Sequence, residues 1–421
     1  MKVASPSKVA VTGVGAVSGW GWSAPALWRG LLSGRPAIRA PQRFDTTGHR
    51  TLLASEVPEP PPELVASVPG WHRLTWADRY ALAAAAEACR QAGLEPPFEG
   101  IGVFFGGSTA GMAEGEEYFR ILLGEGSDRL HLQDIASHQM NGPGDEVARR
   151  FRATGPVYTV SSACAAGGLA LGAALDALRA GEVEVALAGG ADSLCQLTYG
   201  GFNSLRAVDE EVCRPFRESR AGLSLGEGGA VLVLEPLERA LARGVRPLAL
   251  LEGAGASCDA HHMTAPHPEG SGAALAMEAA LQDAGLAPEA IHFINAHGTG
   301  TPLNDVAEGK ALHSVFGERA ACLPVTSTKA SVGHLLGSSG ALEAVATVLC
   351  LEEGRVHPVP GAEGRHGVLE GVDLVLGEPR SLEGGEARPP RALSTSFAFG
   401  GSNAAVLLAA AAAERSPEGA P

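Results

Sequence analysis

Short apolar runs alternating with longer Ala- and Leu-rich stretches predict a layered α/β protein, with helices covering mainly parallel or mixed sheets. Two further observations point the same way. Glycine is abundant at 56 residues while aromatics make up only 5% of the chain, a balance that suits close packing of helices on sheets more than a core of large rings. In addition, VSSACAAGGLALGAALDALRAGE at 160–182 and VTSTKASVGHLLGSSGALEAVATVLCLEEG at 325–354 follow one plan: strand, small-residue polar turn, Ala/Leu helix. That repetition predicts two similar halves meeting near residue 250, where LARGVRPLALLEGAGAS restarts a strand-like run.

In chain order, KVAVTGVGAVS (8–18) reads as a β-branched strand entering a Gly-rich turn, and LTWADRYALAAAAEACRQAGL (74–94) as a helix with a glycine stop. GIGVFFGGS, VYTVSSA, VEVALAGGADS, AVLVLEP, IHFINAHG and VTSTK follow as short strands ending in small or polar residues. The tail AAAAERSPEGAP is expected to fray. The expected division is therefore 1–250, 251–410 and a tail at 411–421.

A chain of 421 residues, 45% hydrophobic and 19% charged, can bury a large core. Its formal charge of -15 disfavours non-specific binding to nucleic acid or anionic membrane, since both need a positive field. The first residues carry lysines at 2 and 8, but their apolar run is short and broken by glycines, so a cytoplasmic protein is expected. Seven cysteines occur without CxxC pairs or metal-like Cys/His spacing, which indicates neither a disulfide framework nor a zinc site.

Four blocks carry candidate chemistry. Cys164 stands where a strand gives way to a helix, among small neighbours, so free N–H groups and the positive end of the helix dipole are expected to stabilise its thiolate. His297 ends an apolar strand and opens the loop NAHGTGTPLND (295–305), which can hold an imidazole rigidly. Lys329 and His334 lie five residues apart in a turn opening onto another helix, and Ala398-Phe399-Gly400-Gly401 interrupts a strand in STSFAFGGSNAAVLL (394–408).

In this order and spacing, the four blocks resemble the elongating β-ketoacyl-acyl-carrier-protein synthases of type II fatty-acid and polyketide synthesis, and the resemblance covers nearly the whole chain. It implies the thiolase fold, two similar halves in five layers α/β/α/β/α, and a homodimer. It makes Cys164 the acylated nucleophile and His297 and His334 the histidines of a Cys-His-His triad, with Lys329 beside them and Glu308 as the frequent ionic partner of that lysine. Thr299 and Thr301 match threonines that bind the phosphopantetheine arm of the carrier. Phe399 matches a gating phenylalanine whose N–H joins that of Cys164 in an oxyanion hole, and Phe397 falls among the substrate-binding positions. Arg206 and Arg73 match positions that present positive charge to the acyl carrier protein. No bound cofactor or metal is implied.

The chain departs from the pattern at Ala398, where glycine is frequent. Thr109 stands where an apolar gate of the acyl pocket is common, and His138 and Gln139 stand near frequent apolar positions on the dimer side. These departures leave the acyl chain, and fatty-acid or polyketide use, open. Two rival readings stand beside the synthase. A chain-length factor usually lacks the nucleophilic cysteine, although a synthase can pair with one, and a thiolase normally uses two catalytic cysteines.

Overall fold

The structure is a computed structural model that describes residues 8–124, 130, 135, 136, 138–361, 369, 371–382 and 389–411. Apart from Ala411, the expected tail lies outside the described residues. The opening apolar run forms β1 (Val9–Val17), buried at every position because it runs through the centre of the molecule. The remaining strands are β2 (Gly102–Gly106), β3 (Val157–Val160), β4 (Ala186–Asp192), β5 (Gly228–Pro236), β6 (Ala249–Cys258), β7 (Phe293–Asn295), β8 (Pro324–Thr326), β9 (Arg355–Val356), β10 (Asp373–Leu374), β11 (Arg380–Ser381), β12 (Arg391–Phe397) and β13 (Ser402–Ala410).

Among the described residues eleven strands join in the order β10-β8-β7-β12-β13-β6-β1-β5-β4-β2-β3. Five strands of each limb match one for one, and β10 is an addition at the edge of the second. In the first, β2 is parallel to β3 and β4, and β5 runs antiparallel to both β4 and β1. In the second, β7 is parallel to β8 and β12, and β13 runs antiparallel to both β12 and β6. The limbs meet where β1 pairs with β6 along a short antiparallel seam from Val9–Leu251 to Val11–Ala249. Two similar halves are thus written into the topology.

Five layers follow from where the helices pack. Helix Trp76–Gln91 lies on β1 and β5, and helix Gly142–Phe151 on β2 and β3, covering the first limb from outside. Helix Ser271–Ala284 covers β6 and β13, with helix Pro302–Phe316 against it. Between the limbs run helix Ala166–Ala180, which touches β2 and β4 on one side and β6 and β13 on the other, and helix Ser339–Glu353, which touches β12 and β13 as well as β4 and β5. Together these give the α/β/α/β/α stack of the thiolase fold.

Local chemistry explains the helix ends. Thr75 accepts the Asp78 N–H while Asp78 accepts the Thr75 N–H, a capping box that starts helix Trp76–Gln91, and Gly93 at φ +62° ends the turn that follows it. Helix Ser339–Glu353 is buried from Ser339 to Leu351, as a middle layer requires, with each enclosed Leu or Val contributing about 1.5–3 kcal/mol. The segment Ala163–Ala180 is long and apolar enough to cross a membrane by composition, yet here it is a core helix between two sheets.

The two central helices cross at their first turns, where glycines let backbone approach backbone. A Cβ on Gly167 would lie 2.7 Å from the Ala341 nitrogen and 3.0 Å from the Gly337 oxygen; one on Gly340 would lie 2.6 Å from the Gly168 nitrogen. Backbone cannot yield as a side chain can. Gly167→Ala is therefore expected to lower unfolding stability by about 1–3 kcal/mol, the usual cost of overpacking. In Gly201→Ala the new methyl meets nothing within 4 Å, so stability should be unchanged or slightly higher. Denaturant midpoints of the two variants test the contrast.

Candidate active site

Cys164 sits in the turn after β3, just before helix Ala166–Ala180, and the preceding Ala163 is held at φ +44°. A non-glycine residue in that left-handed region is strained, and the strain puts the sulfur at the floor of a cleft in a sharp strand-to-helix elbow. Cys164 is buried, and burial pushes its thiol up to about 11. The Lys329 charge, the Phe399 N–H and the Cys164 N–H all pull the other way. The expectation of a stabilised thiolate is thus corrected: desolvation outweighs the helix terminus and both donors.

His297 follows β7 and is fixed through its backbone. Its N–H donates to Glu308 Oε1 at 2.9 Å and Thr395 Oγ1 at 3.0 Å, and the next N–H, of Gly298, reaches Glu308 Oε2 at 2.8 Å. Its Nδ1 lies 3.2 Å from Lys329 Nζ, so an ammonium there donates to Nδ1 and leaves the ring proton on Nε2. His334 reaches the same tautomer by another route: its Nδ1 accepts the Leu336 N–H at 3.0 Å and lies 3.0 Å from Ser339 Oγ. Its Nε2 is buried, without a hydrogen-bond partner, in a residue that lines the cleft. The two rings meet edge to face with centroids 5.5 Å apart. Both histidines are held well below the usual imidazole range, first by burial and then by the Lys329 charge. They are neutral donors.

Lys329 is 1% exposed, and its ammonium pairs with Glu343, which is also 1% exposed. This corrects the expected pairing with Glu308. Glu308 is occupied by the His297 and Gly298 amides and the Thr395 hydroxyl, and burial raises its pKa to about 7. Glu308 therefore shapes the His297 loop, and Glu343 balances the lysine. Glu343 escaped the sequence reading because it is a single acid inside the apolar run GALEAVATV; its isolation there was the available signal. Asp192, at the end of β4, was also missed. Fully buried, it accepts the N–H groups of Ser108, Thr109, Ala110 and Ser338, tying the first half to the turn that carries His334.

The cleft over Cys164 encloses about 330 Å³ and is lined by His297, His334, Thr299, Thr301, Phe397 and Phe399 among others. Thr299 Oγ1 and Thr301 Oγ1 lie 2.9 Å apart on one wall, and the Phe397 ring lies 5.7 Å from that of His297. The Phe399 ring stacks on Phe202 at 5.7 Å. Positive φ is needed at Gly400 (+86°) and Gly401 (+80°) but not at Ala398, so the methyl of Ala398 carries no backbone strain.

Other expected residues fall elsewhere. Thr109 lies outside the lining of this cleft; it is buried, and its hydroxyl faces Asp192 Oδ1 at 3.2 Å and the Ser193 oxygen at 3.1 Å. His138 packs its ring against Gly115, and Gln139 is exposed; neither lines the cleft. Arg206 is exposed between Leu205 and Ala207, which do line the cleft, so it stands at the mouth. Arg73 is exposed on the short turn Trp71–Arg73, which contributes nothing to the lining.

Comparison with known proteins agrees with this geometry. Residues 6–240 match the model of the β-ketoacyl synthase N-terminal domain, and residues 248–363 that of the C-terminal domain. The 3-oxoacyl-[acyl-carrier-protein] synthase 2 of Synechocystis is 37% identical over 406 residues, covering 94% of this chain and 96% of that protein. Its namesake from Staphylococcus aureus is 34% identical over 417 residues, covering 95% and 98%. Among solved structures, the ishigamide ketosynthase/chain length factor superposes with a TM-score of 0.88 at 33% identity, covering 96% of this chain and all of that one, 100%. The ketosynthase AntDE, solved with its type II acyl carrier protein AntF, gives 0.82 at 27% identity, covering 96% and 100%.

The raised Cys164 pKa has a direct readout. Alkylation of the Cys164 peptide by iodoacetamide, followed by mass spectrometry, should accelerate about tenfold per pH unit from about pH 7 to about pH 9, because only the thiolate reacts. A plateau reached below about pH 8 would show a stabilised thiolate instead.

Proposed function

The chain belongs to the β-ketoacyl synthase family, acyltransferases that condense acyl groups on an acyl carrier protein, and from that footing we propose that Cys164 is the acylated nucleophile and His297 and His334 the decarboxylating pair. The observation that carries this assignment is the convergence on one cleft of a strained cysteine elbow with two neutral imidazoles. In this reading the first half, to residue 250, supplies the nucleophile, and the second half, 251–410, supplies His297, Lys329 and His334.

In the first half-reaction Cys164 Sγ gives up its proton and attacks the carbonyl carbon of the carrier-bound thioester. The N–H groups of Cys164 and Phe399, which favour negative charge on the sulfur, take the oxyanion of the tetrahedral adduct. Collapse breaks the bond to the carrier thiol, which leaves with a proton. The second substrate is a malonyl group on a phosphopantetheine arm, with Thr299 and Thr301 on the cleft wall to receive the arm. Loss of carbon dioxide breaks a carbon–carbon bond and puts the electron pair on an enolate.

The unpartnered Nε2–H of His334 and the Nε2–H of His297 hold that oxygen. A neutral imidazole stabilises the enolate without protonating the carbon that must attack. That carbon then attacks the acyl-Cys164 carbonyl, and the cysteine thiolate departs, leaving the β-ketoacyl group on the carrier. Lys329, anchored by Glu343, keeps both rings neutral and fixes the His297 tautomer.

A homodimer is the assembly proposed, in the cytoplasm. β3 is the edge of the sheet and leaves Val157 38% and Tyr158 54% exposed, an unpaired apolar strand that pairing with a second copy would cover. A chain-length-factor partner would use the same edge, and Cys164 with both histidines makes this chain the catalytic subunit in either assembly.

Separated half-reactions test the roles. Cys164→Ala is expected to lose acyl transfer and condensation, while Cys164→Gln retains malonyl-carrier decarboxylation because its amide resembles the acyl-enzyme. His334→Ala should lower decarboxylation by about 10²-fold or more, with a smaller effect on acyl transfer. Condensation retained in Cys164→Ala, or equal losses in His334→Ala, would refute the assignment.

Arg206, at the cleft mouth, and Arg73 are proposed to meet the acidic carrier locally against the overall charge of -15. Reversing both to Glu should raise the apparent KM for malonyl-carrier by about tenfold, roughly 1.4 kcal/mol, with kcat little changed. Thioester mimics lacking the carrier should react as before, and an unchanged KM at low salt would move the docking surface elsewhere.

A further inference from the structure

Helix Met112–Gly124 sends two glutamates, two residues apart, to the N-termini of two other helices. Glu114 accepts the Trp76 N–H at 2.8 Å at the start of helix Trp76–Gln91, which already has its own capping box. Glu116 accepts the N–H groups of Gln196 at 2.9 Å and Leu197 at 2.6 Å, the first two of helix Gln196–Ser204. At the N-cap position of that helix stands Cys195, a weak sulfur acceptor that meets the Thr198 hydroxyl at 3.1 Å and leaves the Gln196 and Leu197 amides to Glu116. Its opening amides therefore depend on a carboxylate from a distant stretch of chain.

The other end of the same helix reaches the active site. Phe202, in its last turn, stacks on Phe399 with centroids 5.7 Å apart and planes 21° from parallel. Phe399 lines the same cleft as Cys164, and its N–H is one of the two that favour negative charge on the Cys164 sulfur. One rigid element of nine residues thus joins the Glu116 carboxylate to the gate above the nucleophile. Glu116 itself lies outside the cleft over Cys164, in the wall of a second cleft of about 470 Å³ that it shares with Trp76, Glu114, Leu194 and Gln196.

We propose that Glu116 is a positioning residue for the acyl gate, holding helix Gln196–Ser204 so that Phe202 keeps the Phe399 N–H aimed at Cys164. The proposal rests on the roles given above to Cys164 and Phe399. It predicts an effect on the step that uses that N–H against an acyl oxyanion, and little on malonyl decarboxylation, whose enolate is held by the two histidines.

The experiment is a double-mutant comparison of Glu116→Ala and Phe202→Leu in the full-length protein, with acyl transfer to Cys164 and malonyl-carrier decarboxylation timed separately. Glu116→Ala should slow acyl transfer about tenfold, the size of a lost cap, and change decarboxylation less than about twofold. Glu116→Gln, which keeps one acceptor oxygen, should recover most of the rate. In the Phe202→Leu background Glu116→Ala should cost no more than about twofold further, because the link it acts through is already cut. A tenfold loss persisting in that background, equal losses in both half-reactions, or no loss would overturn the proposal. If Glu116→Ala does not fold, Glu116→Gln carries the same comparison, with a loss of about two- to threefold that disappears in Phe202→Leu. Acyl transfer retained by a Cys164→Ala control would instead refute the assignment of the nucleophile.

Discussion

The contact on which the rest of this structure depends is the crossing of the two central helices at their first turns. Gly167 and Gly168 of one helix lie against Gly337, Gly340 and Ala341 of the other, at distances that leave no room for a Cβ on Gly167 or Gly340. Cys164 precedes the first of these turns and His334 the second. Close approach of backbone to backbone is what brings Cys164 from one half and His334 from the other to one cleft. Asp192 reinforces the junction by taking amides from both the 108–110 loop and Ser338.

Around that junction the electrostatics are those of a dry site. Lys329 and Glu343 form a buried pair whose removal from water is costly, and its use is to put a fixed positive charge beside two imidazoles. That charge and the burial hold His297 and His334 neutral. The linkage to stability has a definite sign. Histidines with lowered folded pKa values are protonated preferentially in the unfolded chain, so their contribution to stability falls as pH drops below about 6.5. Glu308, raised from 4.5 to about 7, acts oppositely: its protonated form is favoured in the fold, a contribution lost as pH rises through about 7. The two tendencies oppose one another on the acid side of neutrality.

The loop that carries Phe399 over the cleft is held by distant parts of the chain. Gly400 and Gly401 supply left-handed backbone for the turn, Phe202 supplies a stacking surface, and Met263 accepts the Gly400 N–H at 2.7 Å from the loop on the far side of the mouth. Leu205, Leu303 and Met263 are all strongly exposed around this opening.

Much of this was legible in the linear sequence, for physical reasons. Short apolar runs, helical patterning, glycine stops and the repeated strand-turn-helix plan mark the layers and the two halves, since they reflect local backbone preference and how fully each element is buried. The residues at strand ends, Cys164 and His297, and the Lys329/His334 turn were identifiable because chemistry at such positions needs particular residue types in tight small-residue loops. Tertiary structure alone decided the rest. Lys329 pairs with Glu343 and not Glu308, the Thr109 hydroxyl faces Asp192, and Glu116 caps a helix some eighty residues away. Those partners are chosen by how the layers stack, which no local pattern encodes. The thiol of Cys164 is raised and not lowered because desolvation depends on what the whole fold places over it, and the sequence around a residue does not state how deeply it will be buried.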